Sequence, residues 1–162
     1  MDDLDRVREH LDLLEGRFDV PLLDDAGIKE LLSRARRIAV VGASTDPRRP
    51  SHGVLLTLVA AGYEVLPVNP SAGEVAGLTC HPTLAAAAAA ASGPLDIVDV
   101  FRRPEACPEH AREAVGVSAG CLWLQLGIVS REAARIALAG GLSVVMDRCT
   151  AIELGRYGGP RT

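Results

Sequence analysis

A chain of 162 residues with 48% hydrophobic content can build one domain with a substantial core, and with only 3% aromatics that core must be filled by alanine, leucine and valine. The net charge of −4 argues against general nucleic-acid affinity, so any anion site must be a local gathering of arginines and backbone N–H groups. No apolar run is long enough to span a membrane, no signal peptide precedes Asp2, and Cys80, Cys107, Cys121 and Cys149 are scattered without C-x-x-C spacing, which fits free thiols in a reducing cytoplasm.

In chain order, Asp2 to Glu15 reads as an amphipathic helix with Leu4, Val7, Leu11 and Leu14 on one face, closed by Gly16. Asp24 or Asp25 caps a second helix through Arg36, with Ile28, Leu31, Leu32 and Ala35 inward. Both helices precede the sheet and are expected to pack on its outside. The first strand is Arg37 to Gly42, short, apolar and β-branched. A helix from about Ser51 to Ala61 follows, with Ser51 as a candidate cap and Gly62 as its stop. The second strand is Glu64 to Val68, halted by Asn69-Pro70, and Ser71 to Thr79 is a loop with a short extended piece near Leu78. Thr83 caps the alanine run Ala85 to Ala91, which reads as a thin surface helix because alanine is the best helix former.

The third strand is Asp96 to Phe101, and Pro104 and Glu105 begin a helix to Val115. The fourth is Gly120 to Leu124, and Ser130 caps a helix through Ala139. The fifth is Ser143 to Met146, and from Thr150 a short helical turn fades into the tail. Strands that are continuous apolar runs and alternate with helices predict an α/β fold: a single doubly wound, Rossmann-like parallel sheet of about five strands, with extra N-terminal helices. The expected strand order is 3-2-1-4-5, with the switch point between strands one and four. The expected division is a helical extension over 1–36, the sheet domain over 37–155 and a tail over 156–162.

In such a sheet, ligands bind beyond the carboxyl ends of the strands. Gly42 and Ala43 admit a ligand close to the backbone, and Ser44 either donates to a phosphate oxygen or stabilises the turn. Arg48 and Arg49 are either phosphate contacts or a solvated loop. G-x-G-x-x-G is absent, since the next glycine after Gly42 is Gly53. Asn69 stands where NAD-binding domains usually carry an acid for the ribose 2′-hydroxyl, which tilts the reading toward a ligand with a phosphorylated ribose, CoA or NADP. Phe101 either stacks on adenine, covers an extended arm or closes the core edge, and Arg102 and Arg103 either meet a ribose phosphate or flank the next helix. Trp123 reads as core, and Gln125 as a partner for a ligand amide. His52 lies near the expected phosphates, while His10, His81 and His110 read as surface groups. Cys149 either faces the ligand as a reactive thiol or packs the sheet edge, the second being the commoner fate of a free cysteine. Metal ligation is not expected: Cys80 and His81 adjoin, but no second ligand pair stands at a suitable spacing.

Together, Val41-Gly42-x-Ser44, Pro67-Val68-Asn69-Pro70, Val98 to Arg103, Trp123 to Gly127 and Val145 to Cys149 resemble the stand-alone bacterial CoA-binding proteins, single Rossmann-like domains similar to the CoA-binding domain of the succinyl-CoA synthetase α subunit. The resemblance covers Arg37 to about Gly155. It implies coenzyme A, free or acylated, held across Gly42 to Ser44, Asn69-Pro70 and Phe101-Arg102, and implies no reaction. The chain carries no G-x-S-x-G elbow, P-loop or paired-carboxylate motif. The expectation is a cytoplasmic CoA-binding module whose partner is a small molecule rather than nucleic acid or a membrane. The alternatives are an NADP-linked oxidoreductase, an acyl-CoA-handling enzyme, or a regulatory partner that uses CoA as a signal.

Overall fold

In the computed structural model, which describes residues 1–160, each of the five expected strands is present. The strands are β1 (Arg37–Val41), β2 (Glu64–Val68), the small antiparallel pair β3 (Glu74–Val75) and β4 (Leu78–Thr79), β5 (Ile97–Val100), β6 (Cys121–Leu124) and β7 (Ser143–Val145). The helices are α1 (Asp3–Leu14), α2 (Asp25–Arg34), α3 (Pro50–Ala60), α4 (Leu84–Ala90), α5 (Cys107–Gly116), α6 (Arg131–Ala139) and α7 (Thr150–Tyr157). A 3-10 turn over Pro104–Ala106 leads into α5, so that helix starts later than Pro104. The expected tail turn is a full helix, α7, and residues 161 and 162 of the tail lie outside the described residues. Asp24, Thr83 and Ser130 cap α2, α4 and α6 as their sequence positions suggest, each side chain accepting a first-turn N–H.

Five parallel strands form one sheet in the order β2-β1-β5-β6-β7. In the numbering of the sequence reading this is 2-1-3-4-5, not 3-2-1-4-5, and the switch point falls between strands one and three. Pro67 gives the physical reason. It lacks an N–H and sits inside β2, a position compatible only with a sheet edge. Its carbonyl, on the side away from β1, accepts from His81 N at 2.9 Å, and Val68 and His81 form a short parallel bridge. At the opposite edge, Leu23 N donates to Val144 O at 2.9 Å, so the segment before α2 lies along β7.

Both faces of the sheet are covered. On one face α4, α5 and α6 bury Leu84, Ala87, Ala111, Ala114, Ala133 and Ala137 against Val98, Val100, Leu122 and Leu124. On the other, α2, α3 and α7 bury Ile28, Leu31, Leu32, Leu55, Leu58 and Leu154 against Ile38, Val40, Ile97 and Trp123. Each large aliphatic of α2 contributes about 1.5–3 kcal/mol by leaving water. The alanine-rich helices contribute less per residue but let backbones approach the sheet closely.

α1 departs from expectation. Its apolar stripe faces outward, with Leu4, Val7, Leu11 and Leu14 all exposed. The helix is held by Leu13, which packs on the core, and by polar contacts: Arg6 pairs with Glu105, Asp12 with Arg131, and His10 Nε2 meets Asp147 Oδ2 at 3.0 Å. His10 is therefore an anchoring group rather than a free surface one. His110 is half-buried beside Glu113, and burial lowers its pKa below the usual imidazole value. Periodicity identifies an apolar face but does not say which side of a helix finds partners.

Candidate ligand site

β1 ends at the switch point, and Gly42 carries the chain out of the sheet with φ +84°. A Cβ there would lie 2.7 Å from Phe101 O, so only glycine lets the loop after β1 pass the end of β5. Gly42 N donates to Val68 O at 3.0 Å, and Ala43 is fully buried beneath the turn. Ser44 Oγ accepts from Asp46 N at 3.0 Å, leaving its own hydrogen to donate outward. The phosphate-contact and turn-stabilising readings of Ser44 are thus compatible.

Asn69 ties two loops together. Its Nδ2 donates to Ala43 O at 2.7 Å, and its Oδ1 accepts from Ser71 N at 2.8 Å. An aspartate could not donate to the Ala43 carbonyl, which gives asparagine a structural reason besides tolerance of a phosphorylated ribose.

Between these loops lies a cleft of roughly 670 Å³, within the range of small-molecule sites. Gly42, Ala43, Ser44, Arg49, Asn69, Phe101, Arg102 and Gln125 all line it, so residues from four separate strand ends converge. Arg48 and Pro70 are not on its wall. Arg48 is turned to solvent and grips Asp46 through Nε and a terminal nitrogen, each at 3.1 Å, holding that carboxyl below the usual range. Ser51 does not cap α3. The cap position is Arg49, which makes no side-chain cap bond, while Pro50 and the buried Ser51 place the first turn of α3 against the cleft. Pro50 has no N–H and His52 N donates to Arg49 O at 3.1 Å, so it is Ser51 N, with the helix dipole, that favours an anion there.

The lining is of two unlike kinds. Ser44, Arg49, Asn69, Arg102 and the start of α3 are polar or cationic. Leu126, Ile128, Cys149 and Ile152 are largely apolar. Leu126 belongs to the strand-end stretch 124–127 that the sequence places on the ligand side, whereas Ile128 and Ile152 are not among the expected wall residues. Trp123 is fully buried, as expected for core, and its Nε1 donates to Arg148 O at 2.8 Å. That bond fixes the loop after β7 and brings Cys149 to the cleft wall.

Gln125 closes the floor. It is 4% exposed and belongs to a buried polar cluster with Asp99 of β5 and Thr150 of α7. Gln125 Nε2 donates to Asp99 Oδ1 at 2.6 Å and to Thr150 Oγ1 at 2.9 Å, and Thr150 Oγ1 donates to Asp99 Oδ2 at 2.9 Å. Burial pushes Asp99 up to about 7, partly offset by the bonds from Gln125 and Thr150.

This arrangement, a glycine turn at a switch point facing a cationic helix start, accompanies a match of residues 36–155 to the CoA binding domain family. The chain belongs to that family. It is 42% identical over 127 residues to the uncharacterized protein YneT of Bacillus subtilis (strain 168), covering 78% of this chain and 91% of that one. Among solved structures, a hypothetical protein from Pyrococcus horikoshii OT3 superposes with a TM-score of 0.78 at 36% identity, over 85% of this chain and 94% of that chain. Cell-free ID.343 from Thermus thermophilus gives a TM-score of 0.75 at 39% identity, over 83% of this chain and 99% of that chain. The family match spans the whole sheet and every strand end that lines the cleft. No helix among the described residues is long and apolar enough to cross a membrane.

Proposed function

We propose that this protein binds coenzyme A, free or acylated, in the cleft at the ends of β1 and β5. The observation that carries the reading is the polarity of that cleft. Coenzyme A joins a multiply phosphorylated nucleotide to a long, mostly apolar arm. The cationic lining of Arg49, Arg102 and the start of α3 suits the phosphates, and the apolar lining of Leu126, Ile128 and Ile152 suits the arm. The backbone at Gly42 and Ala43 accepts close approach, and Ser44 donates to an oxygen there. The proposed contacts are Gly42, Ala43, Ser44, Arg49, Asn69, Phe101, Arg102 and Gln125. Arg48 and Pro70 support the loops that carry them. The proposed setting is the cytoplasm, where free thiols persist. The proposal concerns binding and assigns no reaction.

Native mass spectrometry of freshly purified protein should show a mass increment matching coenzyme A or an acyl ester of it. Calorimetric titration with coenzyme A, NADP and NAD tests the ranking. Coenzyme A is expected to bind most tightly, and tighter binding of NAD overturns the proposal.

A further inference from the structure

Gln125 spends both amide hydrogens inward, one on Asp99 and one on Thr150, so its carbonyl oxygen is the end left for the cleft. The two ends of a carboxamide are almost the same shape, and only hydrogen-bond partners decide which faces which way. An ionised Asp99 accepts and never donates, and it therefore demands the NH2 end. We propose that Asp99 is a positioning residue that holds Gln125 with its oxygen toward the cleft, so that the floor of the site reads an N–H donor of the ligand, and that protonation of Asp99 releases this preference. The inference rests on the binding reading above and names the ligand feature that Gln125 recognises: an amide N–H on the arm of coenzyme A.

The surroundings isolate this carboxyl. Asp99 is fully buried in the central strand β5, with Val40 of β1 and Trp123 of β6 as its register neighbours. The elements packed on this face bring ionisable groups of their own: Arg34 on α2, His52 on α3, Glu153 on α7, Cys149 ahead of α7 and Cys121 on β6. None of them forms an ion pair with Asp99, whose influences are burial and the bonds from Gln125 and Thr150. Glu153 instead joins Arg148 and Arg156. Cys121 feels Asp99, but burial pushes its thiol to about 12 and keeps it neutral. The carboxyl thus answers to the proton and to the Gln125 amide. Once protonated, its O–H can donate to the Gln125 oxygen, the amide turns over, and NH2 faces the cleft.

Binding through the Gln125 oxygen favours ionised Asp99, so affinity for an N–H-donating ligand falls as pH drops through about 7. The test compares coenzyme A with adenosine 3′,5′-bisphosphate, which carries the nucleotide and lacks the amide-bearing arm. The ratio of the two affinities cancels titration of the ligand phosphates. For the parent, the ratio should drop about 3- to 10-fold from pH 8 to pH 6, the effect of one neutral hydrogen bond. In Asp99→Asn, whose amide does not titrate in this range, the ratio should be flat. Thr150→Val removes a donor from the carboxylate, so the midpoint of the drop should move to higher pH. That variant and the parent profile decide the matter if Asp99→Asn does not fold. If both ligands bind but the parent ratio is flat, or if Asp99→Asn keeps the parent profile, the positioning role is wrong. If neither ligand binds, the binding reading itself fails.

Discussion

The α-carbon of Gly42 lies against the carbonyl of Phe101 so closely that an added methyl would sit 2.7 Å from that oxygen. The contact joins the ends of β1 and β5 at the switch point and sets the width of the cleft mouth. Because φ at Gly42 is +84°, Gly42→Ala meets backbone strain as well as a backbone clash. The variant should lose about 2–4 kcal/mol of stability and bind coenzyme A more weakly. Chemical denaturation alongside calorimetric titration checks both, and parent-like values in both would remove Gly42 from its assigned role.

The three arginines near the turn should behave differently although two are neighbours in sequence. Arg49 and Arg102 line the cleft, and Arg48 holds Asp46 at the surface. Arg49→Ala and Arg102→Ala should each weaken coenzyme A binding by about 1.5–3 kcal/mol, as for a charge-assisted contact. Arg48→Ala should change it little, since an exposed ion pair contributes about 0–1 kcal/mol. Titrations of the three variants at one salt concentration measure this, and equal losses at Arg48 and Arg49 would contradict the geometry.

Asp99 should give stability an unusual pH dependence. Its pKa in the folded protein is about 7, above the ordinary carboxylate value, so between about pH 4 and pH 7 the folded chain holds a proton that the unfolded chain has released. Its contribution is therefore most favourable at acid pH, declines as pH rises through that window, and levels off above 7. The decline is on the order of 2–4 kcal/mol. Asp99→Asn should abolish it and be more stable than the parent at pH 8. Urea midpoints across pH 5 to 8 report the difference, and parallel profiles for parent and variant would show that Asp99 does not titrate there.

Cys149 stands on the cleft wall and is partly exposed, whereas Cys121 is fully buried in the sheet with its thiol pushed to about 12. Burial also pushes Cys107 up to about 12 and raises Cys80. Limited alkylation should therefore modify Cys149 first, and coenzyme A should slow it. Peptide mapping with and without the ligand gives the rates. Modification of Cys149 no faster than Cys121 would mark it as packing only.

Much of this architecture was legible in the chain because apolar runs, caps and glycine stops are local signals. Asp24, Thr83 and Ser130 announce their helices through short-range bonds that any surroundings allow. The order of the strands was not read correctly, although Pro67 carried the signal that β2 is an edge. The outward stripe of α1 was beyond reach, because the ion pairs that orient it join residues as distant as His10 and Asp147. The strand-end residues of the site, Leu126 and Cys149 included, emerged from the fold rule, while Ile128 and Ile152 did not, since they lie beyond the strand ends and look like ordinary apolar side chains. Asp99 was overlooked despite standing alone as an acid within an apolar strand, which is what a buried carboxyl looks like in sequence.

The two borders of the sheet are closed by the chain itself, β2 by His81 and β7 by Leu23. Open strand borders recruit strands from other molecules and start aggregates. The segment ahead of α2 therefore caps the β7 border in cis. A fragment trimmed to the span shared with the family, beginning at residue 36, keeps every strand yet bares the Val144 carbonyl. Residues ahead of the family span thus cover a border of the sheet that the span alone leaves bare.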